Sequence, residues 1–415
     1  MRLSTYSKSI VLALSMSLGA CSYLLPSTTP SAFGLLADRG DTRPFEQPLP
    51  INTQPKRLAL GSDFAIGVKE DGTVWSWGSG SKGELGMGKK ENRPSPQAIP
   101  NMTDFVEVAV GGSHVLALRK DGTVWSWGNN EKGVLGYKEE GVPWGIPPKI
   151  YFDPYQLTPK QIPDLKDVVS IAAGHNYSLA LDKQGKVWGW GSDINLVINS
   201  VKSLLIKTPT IVYENKNIKK MAITSATRVL LILENGTGLV FGGDIESLDD
   251  INEDLHPKKD YQNPYVIPVN HIVDIVDSGV GIMVLRRDGT VWIMGRNLHG
   301  NLGQCDFKNN FYKGFVQVKN LKRVKQINSQ MALDEQGYIW AWGGNIYVPY
   351  TYFLGKSATR FGEESCSVKI KKVPDFDFFL PTYHANIYAT KDGYFFKMTE
   401  PKRNFDAQPL PWSWK

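Results

Sequence analysis

Apolar and polar positions alternate along this chain in paired short runs. His114-Val115-Leu116-Ala117-Leu118 and Thr123-Val124-Trp125-Ser126-Trp127 flank Lys120-Asp121-Gly122. Runs of this length are strand-like, and Lys-Asp-Gly between them predicts a hairpin, because glycine accepts the positive φ of a tight turn. Period-two alternation sends Thr123, Trp125 and Trp127 to one face and Val124 and Ser126 to the other. The large rings are expected to pack on the next unit of the array.

The hairpin recurs. Asp71 to Gly78 and Asp121 to Gly128 carry the same eight residues, Asp-Gly-Thr-Val-Trp-Ser-Trp-Gly, and altered copies begin at Gln184, Asn235, Asp288, Gln336 and Asp392. That makes seven copies at a spacing of roughly 50 residues, in the range of blade-type repeats. Each unit of such an array packs on its neighbours alone, so 415 residues are read as one domain rather than two or three. The closing glycines Gly78, Gly128, Gly191, Gly242, Gly295 and Gly343 are expected where backbones crowd at a strand end. The expectation is an all-β chain.

Ala109-Val110-Gly111-Gly112-Ser113-His114, the Asp-Gly-x-Val-Trp-x-Trp-Gly phrase and Asn130-Glu131-Lys132-Gly133-Val134-Leu135-Gly136 together resemble the repeats of the regulator of chromosome condensation (RCC1) family. The Gly-x-Leu-Gly tail returns at Gly83 to Gly86 and Gly300 to Gly303. The resemblance covers about residues 56 to 400 and implies a seven-bladed β-propeller. Blades 4, 6 and 7 depart from the pattern, with Leu239 and Phe396 in tryptophan positions. A WD-type propeller is disfavoured because no Gly-His to Trp-Asp pairing is present. Ring closure stays open: Pro409-Leu410-Pro411-Trp412-Ser413-Trp414 could seal the first blade, or Leu58-Ala59-Leu60 could complete the last.

The first residues have a different character. Arg2 and Lys8, the apolar run Ile10 to Leu18, and Leu18-Gly19-Ala20 before Cys21 read as a secretory leader too short to span a bilayer. Leu18-Gly19-Ala20-Cys21 resembles the bacterial lipobox, which implies cleavage and lipidation of Cys21, the sulfur being the alkylation site and several acyl chains giving a stable anchor. By the same resemblance, Ser22 points to the outer membrane of a Gram-negative envelope. The expected organisation is a signal peptide at 1–20, a lipidated N-terminus and flexible Ser/Thr/Pro-rich linker at 21–55, and the propeller at 56–415.

Charge narrows the partner class. Leaving out Arg2 and Lys8, the chain carries 45 Lys and Arg against 41 Asp and Glu. A balance of +4 spread among acids does not suggest nucleic acid, and the densest basic group is Lys369-Ile370-Lys371-Lys372. Cys305 and Cys366 are a candidate disulfide in an oxidising compartment.

No catalytic, cofactor or metal motif is found. Seven residues before each phrase stand Phe64, His114, Tyr177, Arg228, Gly281, Ser329 and Ala385, a ring with one histidine, so His114 is read as a framework residue. The hairpin aspartates Asp71, Asp121, Asp288 and Asp392 are read as turn formers. Function is therefore expected where the repeat is interrupted. Trp144, Tyr151, Phe152 and Tyr155 lie in one interruption and Tyr347, Tyr350 and Tyr352 in the other; both are candidate binding segments, or else irregular outer strands packed on their own blades. The leading expectation is a non-enzymatic, lipid-anchored envelope propeller that binds an unidentified protein. A scaffold for peptidoglycan or polysaccharide is the alternative, and a propeller hydrolase or lyase a third.

Overall fold

Each Asp-Gly phrase lies at the centre of a four-stranded antiparallel sheet in the computed structural model. The structure describes residues 56–137, 154–192, 205–224, 228–242, 264–278, 281–297, 300–305, 312, 314–328 and 331–343, and the backbone of strands at 368–372, 379–381, 387–391, 394–398 and 407–413. Blade 1 holds β1 (Leu58–Leu60), β2 (Phe64–Val68), β3 (Val74–Gly78) and β4 (Arg93–Ala98); blade 2 holds β5 (Phe105–Val110), β6 (His114–Arg119), β7 (Val124–Asn129) and β8 (Tyr155–Gln161). Blade 3 follows with β9 (Val168–Ala173), β10 (Tyr177–Asp182), β11 (Lys186–Gly191) and β12 (Ile206–Glu214), and blade 4 with β13 (Ile218–Ile223), β14 (Arg228–Leu233), β15 (Gly238–Gly242) and β16 (Tyr265–Val266). Blade 5 is β17 (Ile272–Asp277), β18 (Gly281–Arg286), β19 (Val291–Gly295) and β20 (Val316–Gln317). Blade 6 is β21 (Val324–Asn328), β22 (Met331–Asp334), β23 (Tyr338–Ala341) and β24 (Val368–Lys372), and blade 7 is β25 (Phe379–Pro381), β26 (Ile387–Lys391), β27 (Tyr394–Met398) and β28 (Ala407–Ser413).

The phrase sits where the period-two pattern puts it. Asp121 Oδ1 accepts from the Thr123 N–H at 2.9 Å and from its hydroxyl at 2.6 Å, and Asp71 and Asp288 repeat this with Thr73 and Thr290. These bonds hold the Asp71 and Asp121 carboxyls below their ordinary range, the side-chain bond from threonine being the largest cause. These three aspartates close turns, as expected, and Asp392 lies outside the described residues. Gly128 pairs with His114 at φ +99°, and a Cβ there would stand 2.6 Å from the Ser113 carbonyl, so only glycine fits that strand end.

The core lies between blades. Val124 joins Leu116 and Leu118 against Ile171, Val168 and Trp190 of blade 3, whereas Trp127 packs with Ile66, Val74, Leu85 and Ile99 of blade 1. The two faces of β7 thus serve two neighbours. The rings turn to the preceding blade, not to the next as the sequence suggested.

First strands of successive blades lie against one another, β1 with β5, then β9, β13, β17, β21 and β25 in turn, so they are innermost. Fourth strands form the outer edges, where an unpaired ladder invites association. Pro94 and Pro96 in β4, Pro159 in β8, Pro209 in β12 and Pro409 and Pro411 in β28 interrupt those edges. β24 carries Lys369, Lys371 and Lys372, which gives the densest basic run of the sequence a structural address.

Both closure expectations are corrected. β1 pairs with β2 inside blade 1, and β28 pairs with β27 inside blade 7. Every described sheet is made of four consecutive strands, and blades 7 and 1 meet through β28 and β4 rather than by exchanging a strand.

Candidate functional site

The up-and-down order gives each blade two ends. Asp-Gly hairpins and the links to the next blade open on one rim, here the hairpin rim; β1–β2 loops and β3–β4 connections open on the other. The links are uniformly short, as at 99–104, 162–167, 215–217, 267–271 and 318–323. The β3–β4 connections run much longer, at 130–154, 192–205, 243–264, 296–315 and 342–367. Both interruptions of the repeat fall among these. Their described flanks, Asn129 with Pro154 and Ala341 with Val368, leave and rejoin the sheets on the same rim.

Of the candidate aromatics, Tyr155 alone lies among the described residues. It opens β8, pairs with Asn129, and carries the Lys90 ammonium 4.1 Å above its ring. Tyr155 is thus a half-buried outer-strand residue whose ring meets the Lys90 side chain of blade 1. Trp144, Tyr151, Phe152, Tyr347, Tyr350 and Tyr352 lie outside the described residues, as do Cys21 and Cys366. Cys305 is disulfide-bonded.

His114 is buried, and its Nε2 lies 2.9 Å from the Ser178 hydroxyl, which itself donates to the Val134 carbonyl at 2.8 Å. With the serine proton committed, His114 donates from Nε2. Burial, and secondarily the charge of His175, push its pKa down to about 3, so it is a neutral link between blades 2 and 3. It belongs to the framework.

Sequence reading missed an axial cluster. Glu107, Ser170, Lys220, Asp274 and Gln326 pair with Leu118, Leu181, Ile232, Leu285 and Leu333, each the fifth residue from its ring position, and so are equivalent. A register shift lies beside this polar position in each inner strand. Lys220 Nζ pairs with Asp274 Oδ1 at 2.5 Å, nearly buried. Glu107 is buried, its Oε1 3.4 Å from the Ser170 hydroxyl. Burial lifts its pKa to about 7 against the pull of Lys56, the Ile171 N–H, Ser170 and Lys220. Lys56 keeps solvent access although protein surrounds it; burial first, then the charge of Lys220, lowers its pKa, and Glu107 and Asp274 oppose the shift. A usable signal was present: a polar residue at the same place in five inner strands, although β13, β17 and β21 carry other polar residues as well.

Lys220 and Asp274 pair across blades 4 and 5, with Lys56 and Glu107 close enough to feel their charges, an arrangement suited to joining inner strands of different blades. Among the described residues, no three His, Cys, Asp or Glu side chains gather as a metal site.

A family profile described as RCC1-like domain matches residues 73–377, and one for the regulator of chromosome condensation (RCC1) repeat matches residues 56–84. Protein pim1 of Schizosaccharomyces pombe is 28% identical over 190 residues, 41% of this chain and 34% of that protein. An RCC1 domain-containing protein of Dictyostelium discoideum is 33% identical over 102 residues, 23% of this chain and 14% of that one. The chain thus spans 34% and 14% of the lengths of these two relatives. Among solved structures, Prp20p of Saccharomyces cerevisiae, studied for its binding to Gsp1p and histones, aligns with a TM-score of 0.58 at 20% identity, covering 89% of this chain and 88% of its own. Human WBSCR16 aligns with a TM-score of 0.58 at 20% identity over 78% of this chain and 83% of its own.

Proposed function

The chain belongs to the RCC1-like domain family, and from that premise we propose that it is a non-enzymatic binding module: a propeller, lipid-anchored through Cys21 at a bacterial cell envelope, that holds a protein partner on the rim opposite its hairpins. The observation that carries this reading is the asymmetry of the rims. One is built of short, repeated turns, and the other receives every long β3–β4 connection, including the two with Trp144, Tyr151 and Phe152 and with Tyr347, Tyr350 and Tyr352. Aromatic groups on a rigid rim are the usual anchors of protein interfaces. Prp20p, of the same fold, is a protein binder by the description of its structure, which makes this use of the architecture a precedent rather than an identification. The ion pair of Lys220 with Asp274 supports a structural role for the axial cluster.

Affinity capture from solubilised envelopes tests the reading, with wild type beside Trp144→Ala and Tyr352→Ala. A partner retained by wild type and lost from both variants is expected. Identical profiles for all three would remove rim-mediated protein binding, and co-sedimentation with purified sacculi would favour the polysaccharide scaffold instead. Incorporation of radiolabelled palmitate into wild type, abolished in Cys21→Ser, is the expected result for the anchor.

A further inference from the structure

The hairpin rim is uneven in charge. The link between blades 1 and 2 exposes Asp104 and that between blades 2 and 3 exposes Asp164, Lys166 and Asp167, but the link between blades 5 and 6 with the start of β21 exposes Lys319, Lys322, Arg323 and Lys325 within seven residues. Arg323 is balanced by Glu335 at 2.6 Å; the buried Asp334 is engaged by the Tyr338 N–H and the Trp340 indole instead. Lys322 and Lys325 flank the buried Val324, which begins the inner strand, while Lys319 lies beyond the buried Val318 near the outer edge. The basic line therefore crosses the rim from periphery to axis. By register with Ile339 and Tyr338, Lys371 and Lys372 end β24 on this same rim.

A second observation concerns where the chain enters the propeller. The Arg57 carbonyl accepts from Val68, its guanidinium donates to the Lys69 carbonyl at 2.9 Å, and the Lys56 carbonyl accepts from Val108. Lys69 begins the first hairpin, so the segment preceding Lys56 joins the fold on the hairpin rim, beside the axis.

We propose that the blade 5–6 sector of the hairpin rim, centred on Lys319, Lys322 and Lys325, is a docking face for an anionic phospholipid surface. The choice of partner rests on the lipid-anchor reading above: a tether leaving from this rim keeps it within reach of the bilayer, and clustered lysines beside a membrane gain from negatively charged headgroups. A propeller docked by this sector would present its long connections away from the membrane, toward soluble or envelope-bound partners.

The test uses the exported, processed protein on vesicles of phosphatidylcholine alone or with phosphatidylglycerol, read by flotation and by lysine acetylation with mass spectrometry. Flotation with neutral vesicles reports the anchor. Slower acetylation of Lys319, Lys322 and Lys325 on anionic vesicles only, with Lys82 beside Ser113 on the other rim unchanged, is the expected result for the face. The protection should disappear at 1 M salt, where the screening length falls to about 3 Å. In the Lys319→Glu, Lys322→Glu, Lys325→Glu variant, partition onto anionic vesicles should weaken by about 100-fold or more in a non-acylated Cys21→Ser background. An unchanged footprint on anionic vesicles overturns the proposal even if the anchor holds. Protection by duplex DNA but not by vesicles overturns it in favour of nucleic acid, and loss of flotation on neutral vesicles with retained anionic protection rejects the anchor alone.

Discussion

The indole of Trp127 in blade 2 donates to the backbone carbonyl of Glu84 in blade 1 at 2.7 Å, across 43 residues of sequence. Trp190 does the same to Val134 and Trp342 to Asn301. In every case the acceptor is the variable residue of a Gly-x-Leu-Gly tail in the preceding blade. The middle residue of Trp-Ser-Trp completes the device, since Ser76 and Ser126 donate to the Leu85 and Leu135 carbonyls of their own blades' tails. Phrase and tail are two halves of one contact between blades. Where blades 3 and 4 lack the tail, the following blades carry Phe241 and Met294 in place of the tryptophan.

Trp127→Phe keeps most of the ring's burial and deletes the donor, so a loss of about 1–2 kcal/mol is expected. Trp125 is the internal control, because its indole nitrogen is buried without a hydrogen-bond partner. Trp125→Phe should be near neutral. Urea denaturation of both variants checks this, and equal losses would mean that the Glu84 contact contributes nothing specific.

The contact explains what the sequence made legible. Repeats are visible because the blades share the same turn and close glycine contact, and blades 2, 3 and 6 the same indole donor, and those requirements are local. The direction of packing was not legible, because alternation separates two faces without saying which neighbour each meets. Nor was closure, since Leu58-Ala59-Leu60 and the Pro409 to Trp414 tail are equally strand-like on paper. Glu107 and Asp274 escaped notice for a related reason: only a register shared across blades brings residues 167 positions apart beside the same lysine. The aromatic segments around Trp144 and Tyr350 depart from the repeat, so no ruler extends into them.

Lys220 and Asp274 offer a test of the axial cluster. Lys220→Met removes the ammonium from a nearly buried carboxylate, and a loss of roughly 3–5 kcal/mol is expected. Lys220→Met with Asp274→Leu should recover much of it, because an apolar pair avoids the desolvation cost. A double-mutant cycle in thermal or urea unfolding measures the coupling; additive losses would remove the pair as a unit.

Cys305 is disulfide-bonded, and Cys366 is the expected partner. Closing a loop of about 60 residues should stabilise the chain by roughly 4 kcal/mol in the chain-entropy picture. Non-reducing proteolysis followed by mass spectrometry should yield a linked Cys305–Cys366 peptide, and reductant should lower the unfolding midpoint of wild type but not of Cys305→Ser. Free thiols at both positions in exported protein would refute the pairing.

The buried Glu107 and His114 bias stability in opposite directions with pH. Glu107 titrates at about 7 in the fold against an ordinary 4.5, so the folded chain keeps a proton that the unfolded chain releases. Its favourable contribution is complete below 4.5 and is lost as pH rises through 7. His114 titrates at about 3 against an ordinary 6.5, so here the unfolded chain takes the extra proton, and the contribution present above 6.5 is lost as pH falls toward 3. Between 4.5 and 6.5 the two slopes oppose each other, each at about 1.4 kcal/mol per pH unit at most. Glu107→Gln keeps the shape and removes one slope. The variant should match wild type near pH 4, exceed it by up to about 3 kcal/mol at pH 8, and reveal the His114 slope as a steady loss below pH 6.5. Urea midpoints at constant m-value from pH 4 to 8 measure this, and parallel curves for the two proteins would mean that Glu107 holds no proton in the folded chain at neutral pH.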